Sequence, residues 1–176
     1  MKEHTIRLFL CLFIYYLSLF CYPQKVYAAE YRISSIEELK VHCENKNTET
    51  LILTRDLGLG TKLTPDGMDQ VITVNGNKTI QGNGHQIVNY KTRQYANMDK
   101  TTGGNPIFGV NTKATLKTRN LTINGNRWGC KCKENSTIVV YDGTFYAEEG
   151  TVICQSVENG IQAFSSSRVN VKGNVE

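Results

Sequence analysis

Residues 71–83 read VITVNGNKTIQGN, and residues 114–126 read ATLKTRNLTINGN. Each opens on alternating apolar and polar residues and closes on Asn and Gly, which is the pattern of a short strand followed by a turn. The connection between such segments decides the fold. In an antiparallel sandwich, Asn75-Gly76 and Asn124-Gly125 would be hairpin turns. In a parallel solenoid, the same steps would be the corners of stacked coils.

Most of the chain repeats this pattern. TLILT (50–54), TIVVY (137–141), GTFY (143–146), TVI (151–153) and RVNV (168–171) are rich in β-branched residues and separated by Gly, Asn and Asp. Laying TLKTRN (115–120) over TIVVYD (137–142) defines an offset, and Ile72 and Val74 precede Leu116 and Thr118 by twice that offset. RVNV follows TIVV at a wider interval, so one turn would carry a longer loop. Short strands repeating at about twenty residues are what a coiling solenoid needs, because each coil buries its apolar side only against its neighbours. The expected fold is all-β, a parallel β-helix over residues 49–176.

A single helix precedes the coils, in the span 29–48, where SSIEELKVHCENKN carries its own start signal. Ser34 or Ser35 can accept from the free N–H groups of the first turn, and Glu37 or Glu38 can return the bond as a capping box. Ile36, Leu39 and Cys43 form one apolar stripe, so the helix is expected to cap the first coil.

The N-terminus has the form of a signal peptide over residues 1–28. Lys2 and Arg7 precede the apolar run LFLCLFIYYLSLF (8–20), which is too short to cross a bilayer comfortably. Val26-Tyr27-Ala28 predicts cleavage between Ala28 and Ala29, and Phe20 suits lipid attachment at Cys21 poorly. Cleavage removes Lys2, Arg7, Lys25 and Glu3 from 20 basic and 16 acidic residues, leaving 17 and 15. Near-neutral charge argues against a nucleic-acid partner. With no second apolar stretch, the mature chain is expected to be secreted or on the cell surface, without a transmembrane anchor.

Export makes disulfides available to Cys43, Cys130, Cys132 and Cys154. Cys132 and Cys154 are separated by the same offset as the strands, which would place them on adjacent coils about 4.8 Å apart, within the range a disulfide spans. The expected bridge is Cys132–Cys154, with Cys43 and Cys130 either paired or free.

The order ISSIEELKVHCENKNTETLILTRDL, VITVNGNKTIQGNGHQIVNY and IFGVNTKATLKTRNLTINGN (33–126) resembles the opening of the pectate-lyase-like adhesive domains of bacterial surface proteins. The resemblance implies a right-handed, helix-capped parallel β-helix and a surface role. Beyond Trp128 only the strand pattern continues it, and Cys130-Lys131-Cys132 is foreign to it.

Catalysis on such a fold would need particular side chains. A calcium-dependent lyase needs converging carboxylates around Ca²⁺ and an Arg or Lys base, and a hydrolase needs two carboxylates about 5–9.5 Å apart. Asp56, Asp66, Asp69, Asp99, Asp142, Glu148 and Glu149 share no register in the alignment above, and Glu148-Glu149 reads as a solvated turn. His85 reads as a hydrogen-bonded corner residue. No cofactor is expected, with Ca²⁺ arising only under a lyase reading. The segment Tyr90–Pro106 interrupts the strands and is polar, so Tyr90, Arg93, Tyr95 and Lys100 are the candidate binding residues on a surface loop. The expected function is a non-catalytic adhesion module binding polysaccharide or host matrix; the alternative is a polysaccharide lyase or glycoside hydrolase whose catalytic coils are missing. The chain ends on SSSRVNVKGNVE, in mid-coil, so it is expected to be the N-terminal part of a longer protein or a truncated product.

Overall fold

A computed structural model describes residues 28–60, 71–90, 106–127, 136–156 and 158–175. The first strand, β1 (Ala29–Ile33), leads into the helix α1 (Ile36–Glu44). Ser35 is the cap: its Oγ accepts from the Glu38 N–H at 3.1 Å, and its own N–H donates to Glu38 Oε2 at 3.2 Å. The Ser34 N–H and hydroxyl also donate to that carboxylate, and with the Ser35 N–H they hold its pKa below the usual range. Leu39 and Cys43 are fully buried and Ile36 partly so, as the apolar stripe predicts.

The chain then coils. The first full turn is β2 (Glu49–Leu53), β3 (Leu57–Leu59) and β4 (Ile72–Val74), and the second is β5 (Asn77–Gln81), β6 (Gln86–Asn89) and β7 (Phe108–Val110). The third is β8 (Thr115–Arg119), β9 (Thr122–Asn124) and β10 (Ile138–Tyr141). The fourth is β11 (Thr144–Ala147), β12 (Val152–Cys154) and β13 (Ile161–Phe164), and β14 (Arg168–Val171) and β15 (Asn174–Val175) begin a fifth. Each turn gives one strand to each of three sheets, ordered β1-β2-β5-β8-β11-β14, β3-β6-β9-β12-β15 and β4-β7-β10-β13. The pairings within the three sheets are parallel. The architecture is the expected parallel β-helix, and Asn75-Gly76 and Asn124-Gly125 are coil corners rather than hairpins.

The expected register is wrong. Thr115 pairs with Thr144 and not with Thr137, while Ile72 pairs with Phe108. Laying TLKTRN over TIVVYD set a strand of the first sheet upon a strand of the third. All three sheets show the same inward-outward alternation, so alternation alone cannot tell them apart. Coil length also varies, because the connections from the second sheet to the third carry insertions of unequal length.

Inward side chains stack into columns. In the first sheet, Leu51, Ile80, Thr118 and Ala147 form one column and Leu116 and Phe145 belong to the next, all buried. Ile72, Phe108 and Ile138 do the same in the third sheet. On the last rung Val169 and Val171 remain 39% and 41% exposed.

The corners explain the Asn and Gly residues. A Cβ on Gly76 would lie 2.6 Å from the Asn47 carbonyl oxygen, so the coil below admits only glycine there. Beside it, Asn111 Nδ2 donates to Asn75 Oδ1 at 2.7 Å, and Asn75 Nδ2 donates to the Glu44 carbonyl at 2.9 Å, giving a ladder of corner amides. At the corner between the first and second sheets, left-handed residues recur as Asn83, Asn120 and Gly150.

Among the described residues there is no disulfide, and Cys43 carries a free thiol in the core. Of the two alternatives for Cys43, the structure shows the unpaired one. Cys154 stands beside Asn124 in the register, which removes the spacing argument for its partnership with Cys132. Cys130 and Cys132 lie outside the described residues, as does the signal peptide through residue 27.

Two outcomes follow for the core. Phe145→Ala should cost about 3–5 kcal/mol in chemical denaturation, because neighbouring coils cannot collapse into the space. Burial, its effect partly offset by the Lys78 charge, pushes the Cys43 thiol up to about 12. Cys43 should therefore resist alkylation in the native protein and react after denaturation, as read by peptide mass mapping; labelling at equal rates in both states would contradict its placement.

Candidate functional site

The outward face of the first sheet carries a concavity. Parallel register stacks Thr50, Thr79, Lys117, Tyr146 and Asn170 in one column, one residue per coil. Further along the strand, Gln81 pairs with Arg119 in the neighbouring column. Beyond the strand ends, the corner Glu148-Glu149-Gly150 folds over the Asn120 corner, and the Asn120 N–H donates to the Glu149 carbonyl at 3.0 Å. Gly150 makes this possible, with a φ of 73° and an added Cβ falling 3.0 Å from Asn120 Cα. The result is an open groove of about 930 Å³.

Its chemistry is mixed. Lys117, Arg119 and Lys172 supply positive charge, Glu148 and Glu149 negative charge, and Tyr146 an aromatic surface. Lys117 Nζ lies 5.5 Å from the centre of the Tyr146 ring, within cation–π range. Arg119 donates twice to Glu148 Oε2, from Nη2 at 2.6 Å and from Nε at 3.0 Å. That pair fixes the groove wall while leaving half of the Arg119 side chain exposed to a ligand. A half-buried tyrosine flanked by cations and amides can lie against a sugar ring and hydrogen-bond its hydroxyls or carboxylates.

Of the predicted loop residues only Tyr90 is described, and it is not among the residues lining this groove. Tyr90 follows β6 in the second sheet and is 46% exposed, its N–H donating to the Leu59 carbonyl at 2.7 Å. Arg93, Tyr95 and Lys100 lie outside the described residues. Glu148, read from sequence as a solvated turn, is instead the anchored partner of Arg119. His85 is a corner residue as expected, with Nδ1 3.2 Å from Asp56 Oδ1. The Gln86 N–H and side-chain amide also donate to Asp56, and with His85 they hold its carboxyl below the usual aspartate range.

The residues that line the groove were missed because Lys117 and Tyr146 are neighbours only in the true register. Outward polar and aromatic residues at alternate positions of TLKTR and TFYA were the available signal. Among the described residues, no three His, Cys, Asp or Glu side chains converge on a point where a metal ion could sit.

Comparison with known families gives one finding: residues 30–162 match the family of pectate lyase-like adhesive domains. No curated protein and no solved structure matches the chain.

The exposure of the Arg119–Glu148 pair sets its energetic weight. Glu148→Gln should lower stability by about 0.2–1 kcal/mol in a denaturant titration at low salt, and less at high salt. A larger loss would mean the pair holds the corner and not only the groove wall.

Proposed function

The chain belongs to the family of pectate lyase-like adhesive domains, and on that premise we propose that it is an exported, non-catalytic module that binds carbohydrate through the groove on its first sheet. The observation that carries this reading is the Lys117–Tyr146–Asn170 column, flanked by Arg119 and Lys172. An aromatic face bordered by cations suits an anionic polysaccharide, whether of a cell wall or of host matrix. No helix among the described residues is long and apolar enough to cross a membrane, which accords with a chain that is secreted or held at the surface by other means.

A non-catalytic role rests on how the charges are committed. Arg119, the cation best placed to act as a base in the groove, donates to Glu148 through two nitrogens. Glu148 accepts both of these bonds through Oε2 and is correspondingly engaged. The loop residues Tyr90, Arg93, Tyr95 and Lys100 extend the proposal to a second contact surface. A Cys132–Cys154 bridge is part of the proposal, and mass mapping of the unreduced protein tests it; Cys132 linked elsewhere, or free, would remove it.

Binding to an array of anionic and neutral glycans tests the function. Anionic polysaccharides should be retained, retention should weaken with salt, and Tyr146→Ala should lower affinity by about 1–2 kcal/mol, roughly five- to thirtyfold. Release of unsaturated uronate from pectate with Ca²⁺, read by ultraviolet absorbance, would instead establish a lyase.

A further inference from the structure

At the helix-capped end of the solenoid, the interior column of the first sheet is polar. Glu49 on β2 pairs in register with Lys78 on β5, and both point inward where Leu116 and Phe145 continue the column. The Lys78 side chain is 0% exposed and that of Glu49 2%. The segment after α1 folds over them. Lys78 Nζ donates to Asn45 Oδ1 at 2.6 Å, to the Asn47 carbonyl at 2.7 Å and to Glu49 Oε2 at 3.0 Å. Asn45 Nδ2 donates to Glu49 Oε1 and Oε2 at 3.1 and 3.2 Å, and the Asn47 N–H donates to Asn45 Oδ1 at 2.9 Å. His42 Nδ1 lies 3.2 Å from Glu49 Oε2.

A buried amine, a carboxamide and a carboxylate touching both are the parts of an acyl transfer. We propose that Lys78 and Asn45 join in an intramolecular isopeptide bond, with Glu49 as the catalytic proton carrier and ammonia as the leaving group. Since a carbonyl bond is about 1.2 Å long, Nζ lies within about 3.8 Å of Asn45 Cγ, close to the separation from which attack begins. The amide orientation is fixed by its surroundings: Oδ1 faces two N–H donors and Nδ2 faces a carboxylate.

The steps balance without any other reactant. Glu49 takes a proton from the Lys78 ammonium, and the freed lone pair attacks Asn45 Cγ. Negative charge moves to Oδ1, where the Asn47 N–H stabilises it as an oxyanion donor does. Glu49 then delivers its proton to Nδ2, the Cγ–Nδ2 bond breaks, and ammonia departs. The second proton on the attacking nitrogen returns to Glu49 and leaves with ammonia as ammonium. The carbon keeps its oxidation level, and the carboxylate is regenerated. Water exclusion at this end of the core favours the amine over hydrolysis.

The bond would tie the C-terminal end of α1 to the second coil. The first coil and its cap would then be unable to peel from the stack, and a surface-borne solenoid is pulled apart most readily from such an end. This inference does not depend on what the groove binds.

Intact mass and peptide mapping of the purified protein test it. The wild-type chain should be lighter by one ammonia, about 17 Da, and digestion should yield a branched peptide joining the segments around Asn45 and Lys78. A succinimide at an asparagine gives the same mass change but no branched peptide, so the branch decides. Glu49→Gln and Lys78→Arg should restore the full mass and linear peptides. Wild-type protein that yields only linear peptides, with Lys78 open to trypsin, would overturn the proposal whether or not the variants fold. A branch that persists in Glu49→Gln would overturn the role assigned to Glu49.

Discussion

Everything in this fold depends on parallel stacking, because a single coil of three short strands has no partner within itself for its backbone or its apolar side. The ladder from one coil to the next satisfies the strand N–H and C=O groups, and the columns of Leu, Ile, Val and Phe form only when it does. Stability and specificity are therefore shared between neighbours instead of residing in one central core. The same constraint places Gly76 under the Asn47 carbonyl. It also explains α1: the helix covers the apolar stack at the first coil with Leu39 and Cys43.

Much of this was legible in the sequence, and the parts that were not share one cause. The cap of α1 could be read because its signal is local, contained between Ser35 and Glu38. Strands such as TIVVY and GTFY could be read from alternation. LGL (57–59) and FGV (108–110) escaped notice because a glycine interrupts a very short apolar run. Register was misassigned because each of the three sheets obeys the same alternation, and the interval between paired strands is uneven. The stretch from Asn77 to its partner Thr115 is nearly twice as long as that from Ala29 to its partner Glu49. No single period describes such a chain.

The groove and the buried polar cluster lie beyond local pattern for the same reason. Lys117 and Tyr146 meet only because two coils stack, and the Asn45–Glu49–Lys78 cluster forms only because the turn after α1 folds over the second coil. Alternation sets Lys78 on the same face as the buried Ile80, while its charge alone would place it outside. Its complete burial marks a position where local preference gives way to chemistry. The groove and the cluster occupy opposite faces of one sheet and share no residues.

The central claim is the parallel register, and backbone nuclear Overhauser contacts in isotope-labelled protein test it most directly. Contacts joining Thr115 with Thr144, Leu116 with Phe145 and Lys117 with Tyr146 in the same direction are predicted. Antiparallel contacts across Asn75-Gly76, joining Val74 to Asn77 and Thr73 to Lys78 as the arms of a hairpin, would contradict the stacked coil and every column built upon it.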